Sequence, residues 1–287
     1  MEMISIPFYL LGALLPNLIL LTIVWLLDRK EKEPFWLIFV IFTMGSLSCF
    51  PIGIVEFILE MILSLFVEPN TFFYNFILYF FIVALCEEGG KFIIVVLLSW
   101  WNKHFTHRFD AIVYCVAASI GFSTLENVMY VFSTELGGMN TMVTRAFLAV
   151  PGHFAWAVLM GLFYGYVRKY YNKKEYGKMI LHFSLMIFVP AFVHGFYDFL
   201  VTSNSVILIL FMFCFVFIVD IITLIILIWQ SKNDKAFWGN NWLQPYNIMT
   251  TQPQEIDIET HNQTNFQEIC NSYCNTQQIV KNQDNNC

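Results

Sequence analysis

The sequence predicts an all-α, polytopic membrane protein with seven transmembrane helices, and three observations lead to this fold class. Of the 287 residues, 58% are hydrophobic and only 13% are charged, which exceeds the apolar content of soluble domains. Apolar stretches long enough to cross a bilayer recur between residues 4 and 229. Basic residues concentrate in alternate loops. We therefore expect an integral, multi-pass protein embedded in the lipid bilayer. A net charge of −6 without a basic patch gives no support for nucleic-acid binding.

The apolar stretches define the seven spans. We place them at residues 4–27, 35–56, 72–101, 111–132, 143–167, 179–201 and 206–229. No basic segment precedes the first span and no small-residue cleavage site follows it, so we expect an uncleaved helix. The second span keeps its apolar character to Phe66. This stretch of 32 residues is too short for two passes and predicts one long helix, tilted or broken.

The distribution of basic residues predicts the orientation in the membrane. Twelve lysines and arginines lie in the loops after spans one, three and five or in the C-terminal flank, whereas the opposite side has only Arg145. Because cytosolic loops carry such an excess, we expect the N-terminus outside and the C-terminus in the cytosol. Tryptophans at the predicted cytosolic ends of the spans agree with an interfacial aromatic belt, namely Trp25, Trp36, Trp100, Trp101 and Trp229.

The composition divides the chain into two regions. Residues 1–230 form the predicted seven-helix membrane domain, whereas residues 231–287 are rich in Asn, Gln, Thr and Asp and poor in aliphatic residues. Such a segment cannot bury enough apolar surface to become ordered, so we expect a disordered cytosolic tail. Four of the seven cysteines lie in apolar stretches, and their spacing does not indicate a disulfide framework.

Glu87, Glu88 and Lys91 place three charged groups in the middle of the third span. A charge at the centre of a membrane helix costs about 2.5–3.5 kcal/mol, whereas each Leu, Ile or Phe returns only about 0.3–0.6 kcal/mol. At helical spacings of three and four, both carboxylates can reach the one ammonium, which lowers this cost without removing it. We interpret the third span as a functional helix in the interior of the bundle.

Three further spans carry polar or ionisable residues at membrane depth. These residues are Glu126 and Asn127 in the fourth span, Arg145 and His153 in the fifth, and His194 and Asp198 in the sixth. In a seven-helix bundle each of them would have to face inward, where the groups can satisfy one another around a small aqueous pocket. His194 and Asp198 are four residues apart and therefore share one helix face.

The order of these motifs resembles that of the PrsW family of intramembrane proteases. The shared motifs are Glu87-Glu88-x-x-Lys91, Gly121-Phe122-x-x-x-Glu126-Asn127, Arg145…Pro151-x-His153 and His194-x-x-x-Asp198. The charged segment at residues 28–34 is also similar to that family's, and the resemblance covers roughly residues 20–200. The CAAX prenyl-protease relatives have His in place of Glu126 and Asn in place of Asp198. These differences fit the PrsW branch and argue against prenylated substrates.

The resemblance implies an intramembrane endopeptidase that cleaves a membrane-anchored protein. We expect glutamate-activated water to carry out the hydrolysis without a cofactor. Glu87 is assigned as the general base toward water, and Glu126 as a residue that positions the water. Glu88 is expected to be held by Lys91 or by Arg145.

The remaining candidate residues are assigned to charge stabilisation. His194 would stabilise the oxyanion, with Asp198 fixing its tautomer or adding a donor, and His153 could take either role. The catalytic candidates are thus Glu87, Glu88, Glu126, His153, His194 and Asp198, and the supporting residues are Lys91, Asn127 and Arg145.

Other functional classes use the same residue types. Catalytic zinc is the runner-up, because the set Glu87, Glu126, His153, His194 and Asp198 includes enough ligands. However, an H-E-x-x-H pair is missing, and the excess of carboxylates is unusual for zinc. A non-catalytic scaffold subunit, related to that of γ-secretase, would use such groups only as a structural network. Proton-coupled transport is less favoured because the sequence lacks inverted repeats.

The predicted topology also places the remaining charged residues. Glu126 and His153 fall toward the outer leaflet, so we expect the pocket to open to the non-cytosolic side. Glu56 and Glu60 match no motif and are interpreted as residues near the outer interface, and Asp220 as a helix-contact residue. The host membrane and the substrate do not follow from the sequence.

Overall fold

A computed structural model of the protein describes residues 5–133, 137–203 and 205–237. These residues form helices connected by short loops, with one isolated antiparallel bridge between His107 and Ala236. The helices are α1 (Ser5–Leu27), α2 (Phe35–Ser64), α3 (Phe72–Ile77), α4 (Ala84–Ser99), α5 (Arg108–Val131), α6 (Met139–Thr144), α7 (Val150–Asn172), α8 (Tyr176–Val201) and α9 (Val206–Lys232). Two π-helical segments, π1 (Leu78–Val83) and π2 (Arg145–Ala149), join α3 to α4 and α6 to α7. The all-α prediction is confirmed, and the predicted tail at 231–287 lies almost wholly outside the described residues.

Six helical segments of the described chain are long and apolar enough to cross a membrane. They comprise α1, α2, α5, the run from α6 to α7, α8 and α9, so the protein is a multi-pass integral membrane protein. The third predicted span is helical throughout α3, π1 and α4 but is not among the six, and it carries Glu87, Glu88 and Lys91. The long second span is a single helix of 30 residues, roughly 45 Å at 1.5 Å per residue, with Pro51 inside it.

Helix α5 lies at the centre of the bundle. It packs against α1, α2 and α7, and its residues are buried from Phe109 to Thr124. Small residues permit this burial, because they let neighbouring backbones come close. A Cβ atom on Gly121 would lie 2.0 Å from the backbone oxygen of Phe42, and one on Gly45 of α2 would lie 2.2 Å from that of Ala118. The backbones of α2 and α5 are therefore in direct contact at these positions.

We expect Gly45→Ala to destabilise the protein, because its new methyl group has no free space. Overpacking of this kind costs about 1–3 kcal/mol, and backbone atoms cannot move aside as a flexible side chain can. Gly53→Ala in the same helix is the matched control, since nothing lies within 4 Å of its Cβ position. Thermal unfolding in detergent should show a lower Tm for Gly45→Ala only; equal Tm values would contradict the close packing.

Side-chain oxygens define the beginning of α5. The Asp110 carboxylate accepts hydrogen bonds from the backbone N–H groups of Thr106 at 2.8 Å and His107 at 2.6 Å. Asp234, beyond the end of α9, accepts the N–H of Phe109 at 2.9 Å. Both carboxylates satisfy amide groups that a helix N-terminus leaves unpaired. The chain after α9 is thereby attached to the start of the central helix.

Two buried carboxylic acids in the loop between α1 and α2 lie at the same end of the bundle. Asp28 accepts the backbone N–H of Glu33 at 3.1 Å, and both side chains are almost completely buried. Burial raises the pKa of Asp28 to about 6 and the pKa of Glu33 to about 8. The folded protein therefore keeps protons on these acids at pH values where the unfolded chain has lost them.

Stability should consequently fall as the pH rises. The contribution of Glu33 is fully present below pH 4.5, its ordinary pKa, and is lost as the pH rises through about 8. We expect Glu33→Gln to match the wild type at pH 5 and to have a higher Tm at pH 9, because the amide carries no charge to bury. Glu68→Gln, at an exposed position, is the control and should follow the wild-type profile. If the Tm of Glu33→Gln changes with pH in the same way as that of the wild type, Glu33 is not the acid responsible for the loss of stability.

Candidate active site

Four helices bring the sequence-predicted residues together in the interior of the bundle. Glu87, Glu88 and Lys91 come from α4, Glu126 and Asn127 from α5, His153 from α7, and His194 and Asp198 from α8. Arg145 is the first residue of π2. The two π-helical segments directly precede α4 and α7, and such segments occur frequently at functional sites.

The ammonium group of Lys91 lies at the centre of the cluster. It is 2.9 Å from Oε2 of Glu87, 2.8 Å from Oε1 of Glu88 and 3.2 Å from Nδ1 of His153. The ring of Phe122 is 4.3 Å from the same nitrogen. Lys91 is fully buried, so these contacts replace the water that the ammonium loses on burial.

The contacts of His153 define its tautomer. A lysine ammonium has no acceptor, so Nδ1 of His153 must accept the hydrogen bond from Lys91. The proton of the neutral ring is then on Nε2, which donates to Oε2 of Glu126 at 2.9 Å. His153 therefore connects Lys91 to the Glu126 carboxylate through two hydrogen bonds, one at each ring nitrogen.

His194 is in a different environment. Its Nδ1 is 3.0 Å from Oε1 of Glu88 and its Nε2 is 3.1 Å from Oδ2 of Asp198. Two carboxylate acceptors require a donor at each ring nitrogen, so the contacts match an imidazolium ion. Trp156 stacks on this ring with centroids 3.8 Å apart, which favours a cation at that position. His194 is thus fixed on three sides, and its Nε2 lies 4.0 Å from Oε2 of Glu87.

Arg145 pairs with α5 and not with Glu88. Its Nη2 lies 2.7 Å from Oε2 of Glu126, and its Nε donates to Oδ1 of Asn127 at 2.6 Å. Of the two cations considered for Glu88, the structure therefore places Lys91 against it. The guanidinium also lies over the ring of Tyr130 at 4.2 Å. Arg145 and His153 together fix the Glu126 carboxylate.

Exposure differs among the carboxylates and distinguishes the interior of the cluster from its mouth. The side chain of Glu88 is 0% exposed and that of Glu87 is 7% exposed, whereas those of Glu126 and Asp198 are 14% and 19% exposed. Glu87 is therefore the less buried member of the adjacent pair. Glu88 has no exposed surface and contacts both Lys91 and His194.

The same groups are close enough to bind a metal ion. Glu87, Glu126 and His153 each have one potential ligand atom within 4.8 Å of the others, and so do Glu87, Glu88 and His194. Each set offers three ligand atoms, the number that a catalytic zinc site with an open position takes from the protein, but with two carboxylates in place of the usual histidine majority. In both sets the imidazole already contacts a carboxylate, His153 with Glu126 at 2.9 Å and His194 with Glu88 at 3.0 Å, so a metal would have to replace these hydrogen bonds.

The sequence interpretation missed one acid that lies beside this cluster. Glu56 of α2 was interpreted as an interfacial residue, but its Oε1 is shielded from solvent and it lies one turn beyond Ile52, which packs with Phe122 and Cys86. Glu56 shares a helix face with Cys49 and Ile52, but the burial of that face is seen only in the structure, so the sequence alone carried no signal for it. In contrast, Glu60, one turn further along, accepts a hydrogen bond from the hydroxyl of Tyr74 at 3.1 Å.

Asp220 and Trp156 are located just behind the cluster. Asp220 lines a small crevice between α7, α8 and α9, together with Trp156 and Tyr197. Its position agrees with the helix-contact interpretation. Trp156 had no role assigned from the sequence, because its stacking on His194 depends on the packing of α7 against α8.

Comparison with known proteins identifies related sequences. Residues 33–224 match a family described as PrsW family intramembrane metalloprotease. The chain is 30% identical over 194 residues to Protease PrsW of Bacillus subtilis, covering 68% of this chain and 83% of that protein. It is 29% identical over 227 residues to Protease PrsW of Clostridioides difficile, covering 78% of this chain and 87% of that protein. A third protein of that name, from Geobacillus kaustophilus, is 30% identical over 193 residues, covering 66% and 78%. No solved structure matches the chain.

Proposed function

Because this chain belongs to the PrsW family of intramembrane proteases, we propose that it hydrolyses a peptide bond of a membrane-anchored protein with a water molecule activated by Glu87. Its family membership makes it a peptidase; the mechanism and the anchored substrate are the proposal. The observation that supports the mechanism is the convergence of Glu87, Glu126, His153 and His194 on one space at membrane depth.

Glu87 is the proposed general base. Water bound between Glu87 and Glu126, whose oxygens lie within 4.8 Å, would lose its proton to Glu87 as it attacks the carbonyl carbon. Glu126 accepts hydrogen bonds from His153 and is paired with Arg145, so it orients the water without moving. Glu87 then returns the proton to the leaving amine, which completes the hydrolysis without a net proton change.

His194 is the proposed oxyanion donor. Its Nε2 faces both Asp198 and Glu87, and it carries a proton when the ring is an imidazolium. A carbonyl oxygen arriving beside Glu87 would replace Asp198 as acceptor, and Trp156 would keep the ring in place. A fixed charged donor of this kind stabilises the developing negative charge. Glu88 and Lys91 hold His194 and Glu87 at the distance that this step needs.

Zinc hydrolysis on the same residues is the second candidate. Two observations favour it: the matched family is described as a metalloprotease, and potential ligand atoms of Glu87, Glu126 and His153 lie within 4.8 Å of one another. When bound, zinc would supply a Lewis acid that lowers the pKa of a water ligand. In that case Lys91 would have to give up its contact with Glu87 at 2.9 Å, because the ammonium and the metal compete for one carboxylate.

Chelation separates the two mechanisms. Purified protein in nanodiscs is incubated with a single-span reporter substrate, with and without a strong chelator and after metal analysis of the sample. We expect cleavage to persist in the chelated, metal-free sample. Loss of cleavage on chelation, restored by added zinc alone, would establish the zinc mechanism instead.

We further propose seven spans, with the N-terminus outside, the C-terminus in the cytosol and the site open to the non-cytosolic side. The run from α3 to α4 then crosses the membrane as the third span. Its charged groups can lie at membrane depth because they pair with one another and with His194 of α8 and do not face lipid. In a cysteine-free background, an impermeant thiol reagent should label Asn70→Cys only from outside and Lys174→Cys only from inside. Labelling of both from one side would exclude this topology.

A further inference from the structure

We propose that Glu56 is a specificity-determining residue whose carboxylate binds a lysine or arginine side chain of the substrate at the mouth of the site. The inference rests on the proposed protease function, since it concerns which segment that site accepts. It assigns a role to a residue that belongs to none of the four sequence motifs.

The packing of α2 against α4 and α5 places Glu56 at this mouth. Ile52, one turn earlier, fits against Gly90 so closely that a Cβ there would lie 2.2 Å from its Cδ1 atom. Ile52 also belongs to the buried cluster that contains Phe122 and contacts Cys86. Glu56 follows Ile52 by four residues, as Glu126 follows Phe122, so both carboxylates lie one turn beyond this cluster.

The Glu56 carboxylate is not satisfied within the part of the chain that the structure describes. Its Oε1 is shielded from solvent and has no hydrogen-bond partner, and the residue as a whole is only partly buried. An unpaired buried acceptor is costly, and such an oxygen is available to a donor that arrives from outside. The neighbouring Glu60 differs, because it is exposed and already bonded to Tyr74.

The charges at the mouth select a cation. Arg145 is paired with Glu126, Lys91 with Glu87 and Glu88, and His194 with Glu88 and Asp198. With His194 as an imidazolium, these four carboxylates exceed the three cations by one, and Glu56 places a fifth carboxyl group beside them. A lysine or arginine of the substrate would relieve this excess at low dielectric.

A reporter series tests the proposal. Single-span reporters carry Lys, Gln or Glu at successive positions in the outer half of the span, and kcat/KM is measured with full-length protein in nanodiscs. At one or two adjacent positions we expect the wild type to prefer Lys over Gln by about tenfold, equivalent to about 1.4 kcal/mol. Glu56→Gln should abolish this ratio and Glu56→Lys should reverse it in favour of Glu. Glu60→Gln is the matched control and should keep the wild-type ratio.

The outcomes separate this inference from the function on which it rests. A Lys-to-Gln ratio that is unchanged in Glu56→Gln, or equal rates for all reporters with the wild type, would overturn the role of Glu56 while leaving the protease intact. If the wild type cleaves no reporter, the proposed function fails. The preference can then still be measured as the binding of the Lys and Gln reporters to Glu87→Gln and to the double variant Glu87→Gln, Glu56→Gln. Tighter binding of the Lys reporter to Glu87→Gln that is lost in the double variant supports the role of Glu56. Equal binding of both reporters to Glu87→Gln refutes it.

Discussion

Glu87→Gln is expected to reduce kcat by about 10²–10⁴-fold, the usual contribution of a general base, without loss of the folded structure. The glutamine oxygen can still accept from Lys91, and Lys91 keeps its contact with Glu88 at 2.8 Å. No buried charge is therefore left unpaired. The measurements are cleavage of the single-span reporter and the melting temperature of the same preparation.

Glu88→Gln is the matched control one residue away. Glu88 is fully buried and serves both Lys91 and His194, so its replacement removes a charge from two ion pairs. We expect a clearly lower Tm for Glu88→Gln than for Glu87→Gln, in addition to reduced cleavage. Wild-type rates in Glu87→Gln would remove the base assignment.

Lys91→Met is expected to give the largest loss of stability in the protein, about 3–5 kcal/mol, as when one partner of a buried ion pair is removed. Methionine matches the length of the lysine stem but provides no charge. Glu87 and Glu88 would then face each other without their shared cation, and His153 would lose the donor to its Nδ1. The expected readout is a large fall in Tm or a failure to accumulate in the membrane.

A triple variant tests whether the loss comes from unpaired charge. Combining Lys91→Met with Glu87→Gln and Glu88→Gln removes all three charges and should recover much of the stability, though no activity. If Lys91→Met alone unfolds at the wild-type temperature, the central position of the ammonium is wrong.

The sequence was sufficient to predict where the helices lie and which charged groups pair within one helix. The apolar stretches predicted α1, α5, α8 and α9 to within a few residues at most ends, because a bilayer constrains span length strongly. The spacing within Glu87-Glu88-x-x-Lys91 predicted both ion pairs, since residues three and four apart are neighbours on a helix.

Contacts between helices could not be predicted in the same way. His194 pairs with Glu88, 106 residues earlier, and this contact depends on how α8 packs against α4. The predicted depth of Arg145 in the membrane left several acids as its partner, and only the structure shows that the partner is Glu126. Motif order indicates which residues share a site, but only packing determines which of them touch.

Glu56 illustrates a different limit. Its neighbours in the sequence are apolar, and depth in the span suggested only the membrane interface. The tight contact of Ile52 with Gly90 turns that face of α2 toward the site, and nothing in the sequence of α2 alone encodes this contact. The family relatives are all named as proteases, which favours an enzyme over the scaffold alternative.

The position of the cleaved bond tests the central claim most directly, namely that acids and imidazoles from four helices form one hydrolytic site within the bilayer. Wild-type protein and a single-span reporter are reconstituted together, and the product termini are determined by mass spectrometry. We predict two fragments whose new termini lie inside the span, in its non-cytosolic half, and none with Glu87→Gln. Cleavage confined to the soluble parts of the reporter, or equal cleavage by the Glu87→Gln variant, would contradict the account.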